Sequence, residues 1–353
     1  MTIEIDGRAI GWDCPPYVIA ELSANHNGSL DQALRIIDAA KAAGADAVKI
    51  QTYRPDTITL DSALPDFQIR EGLWAGRTLY DLYEWAHTPW DWHPRLFEHA
   101  RAQGLTIFSS PFDPTAVELL AGLDAPAYKI ASFEAVDLPL IRTVAAQGKP
   151  MIISTGMADA EEIEEAIGAA RGAGCEQLVV LHCVSGYPAP AGDYNLLTMA
   201  DMARRFDVPV GLSDHTLDNT TAIASVALGA CMIEKHFTLD RSGGGPDDSF
   251  SLEPAEFAAL CSACRTAWEA RGSIDYGRKS SERENMKFRR SLYFVQDIPA
   301  GGTVSAEAVR SVRPGYGAAP KRLDEVIGQR VIEPVSRGTP VKMENLKPAG
   351  GSD

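Results

Sequence analysis

Residues 29–52 read SLDQALRIIDAAKAAGADAVKIQT, and the hydrophobic period changes partway along them. Apolar residues at 34, 36, 37 and 40 return at helical spacing, with Ser29 placed to cap the first turn and Gly44 to stop the last. From position 46, DAVKIQT becomes near-continuously apolar, the pattern of a strand buried on both faces. A helix that feeds straight into a buried strand is the repeating unit of a parallel α/β sheet.

The same strand pattern occurs in YVIAEL at 17–22, LTIFSS at 105–110, AYKIAS at 127–132, PMIIS at 150–154, QLVVLHCV at 177–184, PVGLS at 209–213 and CMIEKHF at 231–237. Helical stretches such as LPLIRTVAAQG, AEEIEEAIGAARGAG and NTTAIASVALGA lie between them. Eight strands in this rhythm predict an α/β fold, a closed (β/α)8 TIM barrel. About 50 residues separate the second and third strands, enough for an added helix and a lid rich in Trp and Tyr at 74–92. After Trp268 the chain turns polar and basic, then resumes as short strands broken by Gly and Pro turns. The expected organisation is a barrel over 1–275, a linker over 276–289 and a small β-rich domain over 290–353.

Of the 353 residues, 45% are hydrophobic and 23% charged, ordinary usage for a globular protein. Lys and Arg number 33 against 48 Asp and Glu, a formal charge of −15 that argues against nucleic acid as a partner. The first residues lack a basic then apolar leader, and no run approaches the ~18 apolar residues of a membrane span. These features predict a cytoplasmic protein without a membrane partner. Six scattered cysteines predict no disulfide framework, and the Cys261 and Cys264 pair, set in a helical pattern, reads as structural.

Polar residues gather where each strand ends. They are Glu21, Lys49, Gln51, Ser109, Ser110, Lys129, Ser132, Ser154, Thr155, His182, Ser185, Ser213, Asp214, His215, Glu234, Lys235 and His236. Active sites of such barrels lie at the C-terminal ends of the strands, so the set predicts a polar site at the mouth. Two lysines among serines suit a phosphorylated or carboxylated ligand, and explain how an acidic protein binds an anion. Lys49 or Lys129 could alternatively form a Schiff base with a carbonyl substrate. His215 and His236 end adjacent strands and are candidates to share a metal ion, with Glu21 and Glu234 in the same ring. The triple glycine at 243–245 lacks the Lys-Ser or Lys-Thr of a phosphate-binding loop and reads as a flexible connection. His26, His87, His93 and His99 fall on helical or loop patterns and carry no functional claim.

The segments IAELSANHNGSL, GADAVKIQTYRPDTITL, FSSPFD, YKIAS, ISTGMA, GLSDHT and IEKHF, in this order, resemble the sialic acid synthase family. RSLYFVQDIPAGGTVSAEAVRSVRPGYG is similar to that family's C-terminal antifreeze-like (SAF) domain. ELSANH, IQTYRPDTITL, GLWAGRTLYDLYEWAHTPWDWH and FSLEP look most like its pseudaminic acid synthase branch, ahead of the N-acetylneuraminate and legionaminate branches.

The resemblance implies a transferase that condenses phosphoenolpyruvate with the open-chain aldehyde of an acetamido sugar, 2,4-diacetamido-2,4,6-trideoxy-L-altrose for the pseudaminic branch. It implies Lys129, Ser132, Ser154, Ser213 and Ser110 around the phosphate, and Lys49 with Ser185 near the carboxylate. Gln51, Tyr187, Glu234 and Asp247 are implied on the sugar side. His215 and His236 are implied ligands of Mn²⁺ or Mg²⁺, with Glu21 the expected acid or base. Arg313 is implied to reach over a neighbouring subunit's barrel, in a domain-swapped homodimer. Ser185 and Ser110 stand where some neuraminate synthases carry Asn and Thr. A Schiff-base aldolase and a non-catalytic sugar-binding barrel are the competing readings.

Overall fold

The computed structural model describes residues 2–348, and the chain divides into two compact units that meet between Gly272 and Ser273. In the first, eight parallel strands close into a barrel: β3 (Tyr17–Glu21), β4 (Ala47–Thr52), β5 (Thr106–Pro111), β6 (Tyr128–Ile130), β7 (Met151–Ser154), β8 (Leu178–Cys183), β9 (Val210–Asp214) and β10 (Met232–His236). β10 pairs back onto β3, with His236 opposite Glu21, so the ends of the first and last strands are neighbours. Helices follow the strands, among them α1 (Leu30–Ala42), whose first turn is capped by the Ser29 hydroxyl accepting from the Gln32 N–H. Gly44 ends it at φ +89°, a left-handed conformation that glycine adopts without strain.

Side chains alternate across the barrel wall with a period of two. Val18, Ala20, Val48, Ile50, Ile107, Ile130, Ile153, Val180, Leu212 and Ile233 point out into the layer packed against the helices. Ile19, Ala47, Phe108, Ala127, Ile152, Val179, Leu181 and Met232 fill the interior. A Cβ on Gly211 would stand 2.4 Å from the Met232 carbonyl and 2.6 Å from Leu181, so this strand passes through a space only glycine fits.

The base of the barrel has a feature absent from the sequence reading: an antiparallel hairpin, β1 (Thr2–Ile5) and β2 (Arg8–Gly11). Ile3, Ile5 and Ile10 are buried with the interior residues of the strands and close that end.

The long excursion after β4 forms α2 (Pro55–Ile58) and α3 (Leu79–Ala86) before α4 (His93–Ala102) leads into β5. A reciprocal capping box starts α3: the Asp81 N–H donates to the Thr78 hydroxyl, and the Thr78 N–H to the Asp81 carboxylate. Cys261 and Cys264 lie on a helix of residues Pro254–Arg271 as free thiols, both pushed up to about 12 by burial. Such thiols are inert structural groups. Among the described residues no helix is long and apolar enough to cross a membrane.

The second unit contains two small antiparallel pairs, Ser291–Phe294 with Val309–Val312 and Arg330–Val331 with Leu346–Lys347. Its own apolar core is built from Leu292, Phe294, Ile298, Val304, Val309, Val326, Val331 and Val341. Residues 280–288 form an exposed 3₁₀ segment before the first of these strands.

Candidate active site

Two residues beyond the apolar filling, the same inward-facing positions become charged or hydroxylated. Glu21 follows Ile19, Lys49 follows Ala47, Ser110 follows Phe108, Ser154 follows Ile152, Ser213 follows Gly211 and Glu234 follows Met232; all six are buried.

They form one connected cluster. The Lys49 ammonium lies 2.6 Å from Glu21 Oε2 and 3.7 Å from Glu234 Oε1, and donates to Ser110 Oγ at 3.3 Å. Lys129 donates to Glu234 Oε1 at 3.1 Å, and Ser213 to the same oxygen at 3.4 Å. Gln51 Nε2 donates to Glu21 Oε1 at 3.0 Å and to Ser23 Oγ at 3.1 Å. Ser132 and Ser185 share a hydrogen bond of 2.9 Å, and Gly156, at φ +52°, leaves them room: a Cβ there would lie 2.4 Å from that of Ser132. Ser154 Oγ is buried at the strand end without a hydrogen-bond partner.

Burial and pairing divide the carboxyls. Burial pushes Glu21 above the ordinary carboxylate value against the pull of Lys49, and the nearby charge of Glu234 adds to the rise. Burial pushes Glu234 the same way, but the ammonium groups of Lys129 and Lys49 reverse it and hold that carboxyl below its ordinary value. Lys49 is held charged by Glu21 and Glu234 despite its burial, whereas burial lowers Lys129 in spite of Glu234. The cluster thus holds one firm carboxylate, Glu234, and one carboxyl of raised proton affinity, Glu21.

His215 and His236 stand side by side with ring centroids 5.5 Å apart, and Tyr187 packs on both, at 4.3 Å from His215 and 6.2 Å from His236. The His215 Nδ1–H donates to the Val184 carbonyl at 2.7 Å, which turns Nε2 away as a free acceptor. His236 Nδ1 is buried without a partner. Burial holds His215 at about 4 and His236 well below its ordinary value, so both imidazoles are neutral. Two neutral imidazoles with free ring nitrogens fit a divalent cation. Among the described residues no set of three or more His, Cys, Asp and Glu is arranged to hold one, so water and substrate would complete its coordination.

Asp247 accepts from the Ser23 hydroxyl and is raised to about 6 by burial. Arg313 is exposed on the small unit, directly after Val309–Val312.

Four polar residues read as facing the mouth point elsewhere, because the alternation turns each outward. Ser109 Oγ joins Thr52 and donates to the Ile50 carbonyl. The His182 imidazole meets the Tyr194 carbonyl. Lys235 is paired with Asp214 at 2.6 Å and donates to the carbonyls of Thr216 and Asp218, tying the β9 exit together. The glycines at 243–245 also depart from expectation, since this loop is pinned: Asp248 Oδ2 accepts from the Gly245 N–H at 2.8 Å and from Asn27 Nδ2 at 2.9 Å. A Cβ on Gly245 would collide with Asn27 at 1.8 Å.

Ser23 and Glu134 were missed. Ser23 continues the two-residue spacing from Glu21 and was available to the same reading, whereas Glu134 lies on the 3₁₀ turn Ser132–Glu134 after β6, where strand alternation gives no signal. Glu134 shares a cavity with Ser23, Gln51, Tyr187, His236 and Asp247.

The NeuB family profile matches residues 36–276, and the SAF domain profile matches residues 289–347. The chain is 46% identical over 331 residues to the pseudaminic acid synthase of Campylobacter jejuni serotype O:2, covering 94% of this chain and 96% of that one. It is 41% identical over 335 residues to the pseudaminic acid synthase of Helicobacter pylori, covering 94% and 98%. The solved structure of the N-acetylneuraminic acid (sialic acid) synthetase of Leptospira borgpetersenii, in complex with citrate, superposes with a TM-score of 0.73 at 30% identity, covering 82% of this chain and 96% of that one. With a family profile spanning most of the barrel unit and relatives matched along nearly their whole length, the chain belongs to the NeuB family.

Proposed function

We propose that the protein condenses phosphoenolpyruvate with 2,4-diacetamido-2,4,6-trideoxy-L-altrose to give pseudaminic acid and inorganic phosphate. The observation that carries this reading is the buried Glu21, Lys49, Lys129 and Glu234 cluster beside two neutral imidazoles at the barrel mouth. The named relatives supply the choice of sugar.

In this reading Lys49 and Lys129, with Ser110, Ser132, Ser154, Ser185 and Ser213, bind the carboxylate and phosphate of phosphoenolpyruvate. Gln51, Tyr187, Glu234 and Asp247 orient the sugar. C3 of phosphoenolpyruvate forms the new bond to the aldehyde carbon, whose C=O π pair passes to its oxygen as an alkoxide, and C2 is left electron-poor. Glu21 takes a proton from the water that adds there, the role its raised carboxyl suits, and that proton passes to the alkoxide. The C2–O bond to phosphate then breaks, and the departing phosphate leaves among the lysines and serines. His215 and His236 would hold Mn²⁺ or Mg²⁺, which supplies Lewis-acid polarisation of a carbonyl when bound.

A second copy of the chain completes the site in this reading, its Arg313 reaching over the barrel as part of a domain-swapped homodimer. The loops that follow the barrel strands expose Leu60, Leu64, Phe133, Met157, Leu197 and Leu217, an apolar rim that a second copy's small unit would cover. Mixing Arg313→Ala with Lys49→Met should restore turnover that neither has alone, since one hybrid site then has both residues intact. Failure to restore it in a mixture shown to exchange subunits would remove the swap.

Phosphate release from phosphoenolpyruvate tests the activity, with Mn²⁺ and the diacetamido altrose, N-acetylmannosamine or the legionaminate precursor, each against EDTA. Metal-dependent release with the altrose sugar alone is expected; release with one of the others instead would reassign the sugar. The lowered Lys129 favours one second reading, a Schiff-base aldolase. Borohydride trapping of a carbonyl substrate on Lys129 would establish it.

A further inference from the structure

The cavity that holds Gln51, Tyr187 and Asp247 of the sugar-side set, about 180 Å³, has a mixed lining. Ser23, Gln51, Asp247, Tyr187 and His236 are its polar members, while Tyr53, Ile58, Leu82, Tyr83, Ala86 and Phe112 form an apolar wall. The apolar wall is firmly built. Tyr53 meets Tyr83 and Phe112 edge-on, with ring centroids 5.7 and 5.1 Å apart, and α3, which carries Leu82, Tyr83 and Ala86, is fixed by its capping box.

Beside this apolar wall stands the carboxyl of Glu134. Glu134 also lines the cavity, its charge is felt at Tyr83, and its Oε2 is buried with no hydrogen-bond partner. Burial raises the group to about 7. An unpaired acceptor in an apolar recess is costly unless a ligand brings the donor. A hydroxyl would bring a donor but leave the apolar wall wet, and a methyl would cover the wall but leave the oxygen bare. An acetamido group brings both, an N–H and a methyl, on a short planar unit.

We propose that this recess is the subsite for the second acetamido group of the sugar, the N–H donating to Glu134 and the methyl packing against Leu82 and Ala86. The inference rests on the synthase reading above; it makes Leu82 and Ala86 specificity-determining and Glu134 the acceptor that anchors the group. A sugar with hydroxyl in place of that acetamido leaves Glu134 a partner but the recess empty of apolar contact. Discrimination follows from the recess, and the binding of phosphoenolpyruvate does not involve it.

Calorimetry on the full-length protein with Mn²⁺ tests this by comparing the diacetamido sugar with its counterpart bearing a C4 hydroxyl. The unaltered protein should prefer the diacetamido sugar by about 10-fold or more. Ala86→Leu, which fills the recess, should bring the ratio close to one, and Glu134→Leu, which removes the acceptor both sugars use, should weaken both by about 10-fold, with phosphoenolpyruvate affinity unchanged in each. Equal weakening toward both sugars in Ala86→Leu, unaltered affinity for both in Glu134→Leu, or no preference in the unaltered protein would overturn the proposal. Phosphate release on the same samples reads the synthase activity separately: preference without release counts against the proposed reaction and for the recess.

Discussion

The two ends of the barrel are made from the same strands and differ by a step of two residues. At the base, Ile19, Ala47, Phe108, Ile152, Val179 and Met232 meet the isoleucines of the hairpin in a dry plug. One step along, Glu21, Lys49, Ser110, Lys129, Ser154, Ser213 and Glu234 occupy an interior just as buried. Burying apolar groups is favourable by itself. Burying charges is unfavourable unless each is met, and the mouth meets them by mutual pairing that a ligand can interrupt. One end therefore holds the fold together and the other holds a site at a cost in stability.

The largest effect that would break this contrast comes from Lys49, which touches both carboxylates. Lys49→Met should lower kcat/KM for phosphoenolpyruvate by about 10²–10³-fold, the range for a preorganised cationic or hydrogen-bonding group. The variant also leaves Glu21 without its ammonium, which should cost about 3–5 kcal/mol in a urea titration. Adding Glu21→Gln should recover much of that stability and none of the activity. Joint recovery of both would mean that Lys49 serves only to hold the fold.

Ile5, fully buried in the hairpin, is the converse test. Ile5→Ala should destabilise the protein by about 2–5 kcal/mol, as other buried isoleucine truncations do. Its kcat/KM per folded molecule should equal that of the unaltered protein, measured below the unfolding transition. A fall in kcat/KM beyond twofold would show that the plug and the mouth are coupled along the strands.

The same contrast explains what could be read from the sequence. The strands were legible because near-continuous apolar runs lie between helices with caps, and Ser29 and Gly44 bound α1 where the pattern put them. The mouth was legible as a collection, since charges at the ends of buried strands need partners. Sidedness was not drawn from it: Ser213 faces in and Asp214 out, Glu234 in and Lys235 out, and alternation alone would have separated them. The hairpin escaped notice because two four-residue strands carry little pattern of their own. The pinned glycine loop depends on Asn27 meeting Asp248 across 221 positions, a pairing no local window contains.

The smallest effect sharpens the comparison at the rim, where Glu134 sits between the charged cluster and the apolar recess. Burial dominates; a hydrogen bond from its own backbone N–H pulls the carboxyl down, Asp137 raises it, and Lys129 and Lys49 pull weakly the other way. Its value moves from 4.5 to about 7 on folding, so below 4.5 the proton is held in both states and the group has no effect on stability. Between the two values the folded protein binds more protons than the unfolded chain, and stability falls as pH rises; above about 7 the loss is complete. Glu134→Gln removes the titration, so its stability relative to the unaltered protein should climb from pH 5 and level off near pH 8, at about 2 kcal/mol. Denaturant midpoints for the two proteins across that range measure it. A difference that stays constant with pH would mean that Glu134 already has a partner in the folded protein, and the recess would then contain no unmet acceptor for a ligand to satisfy.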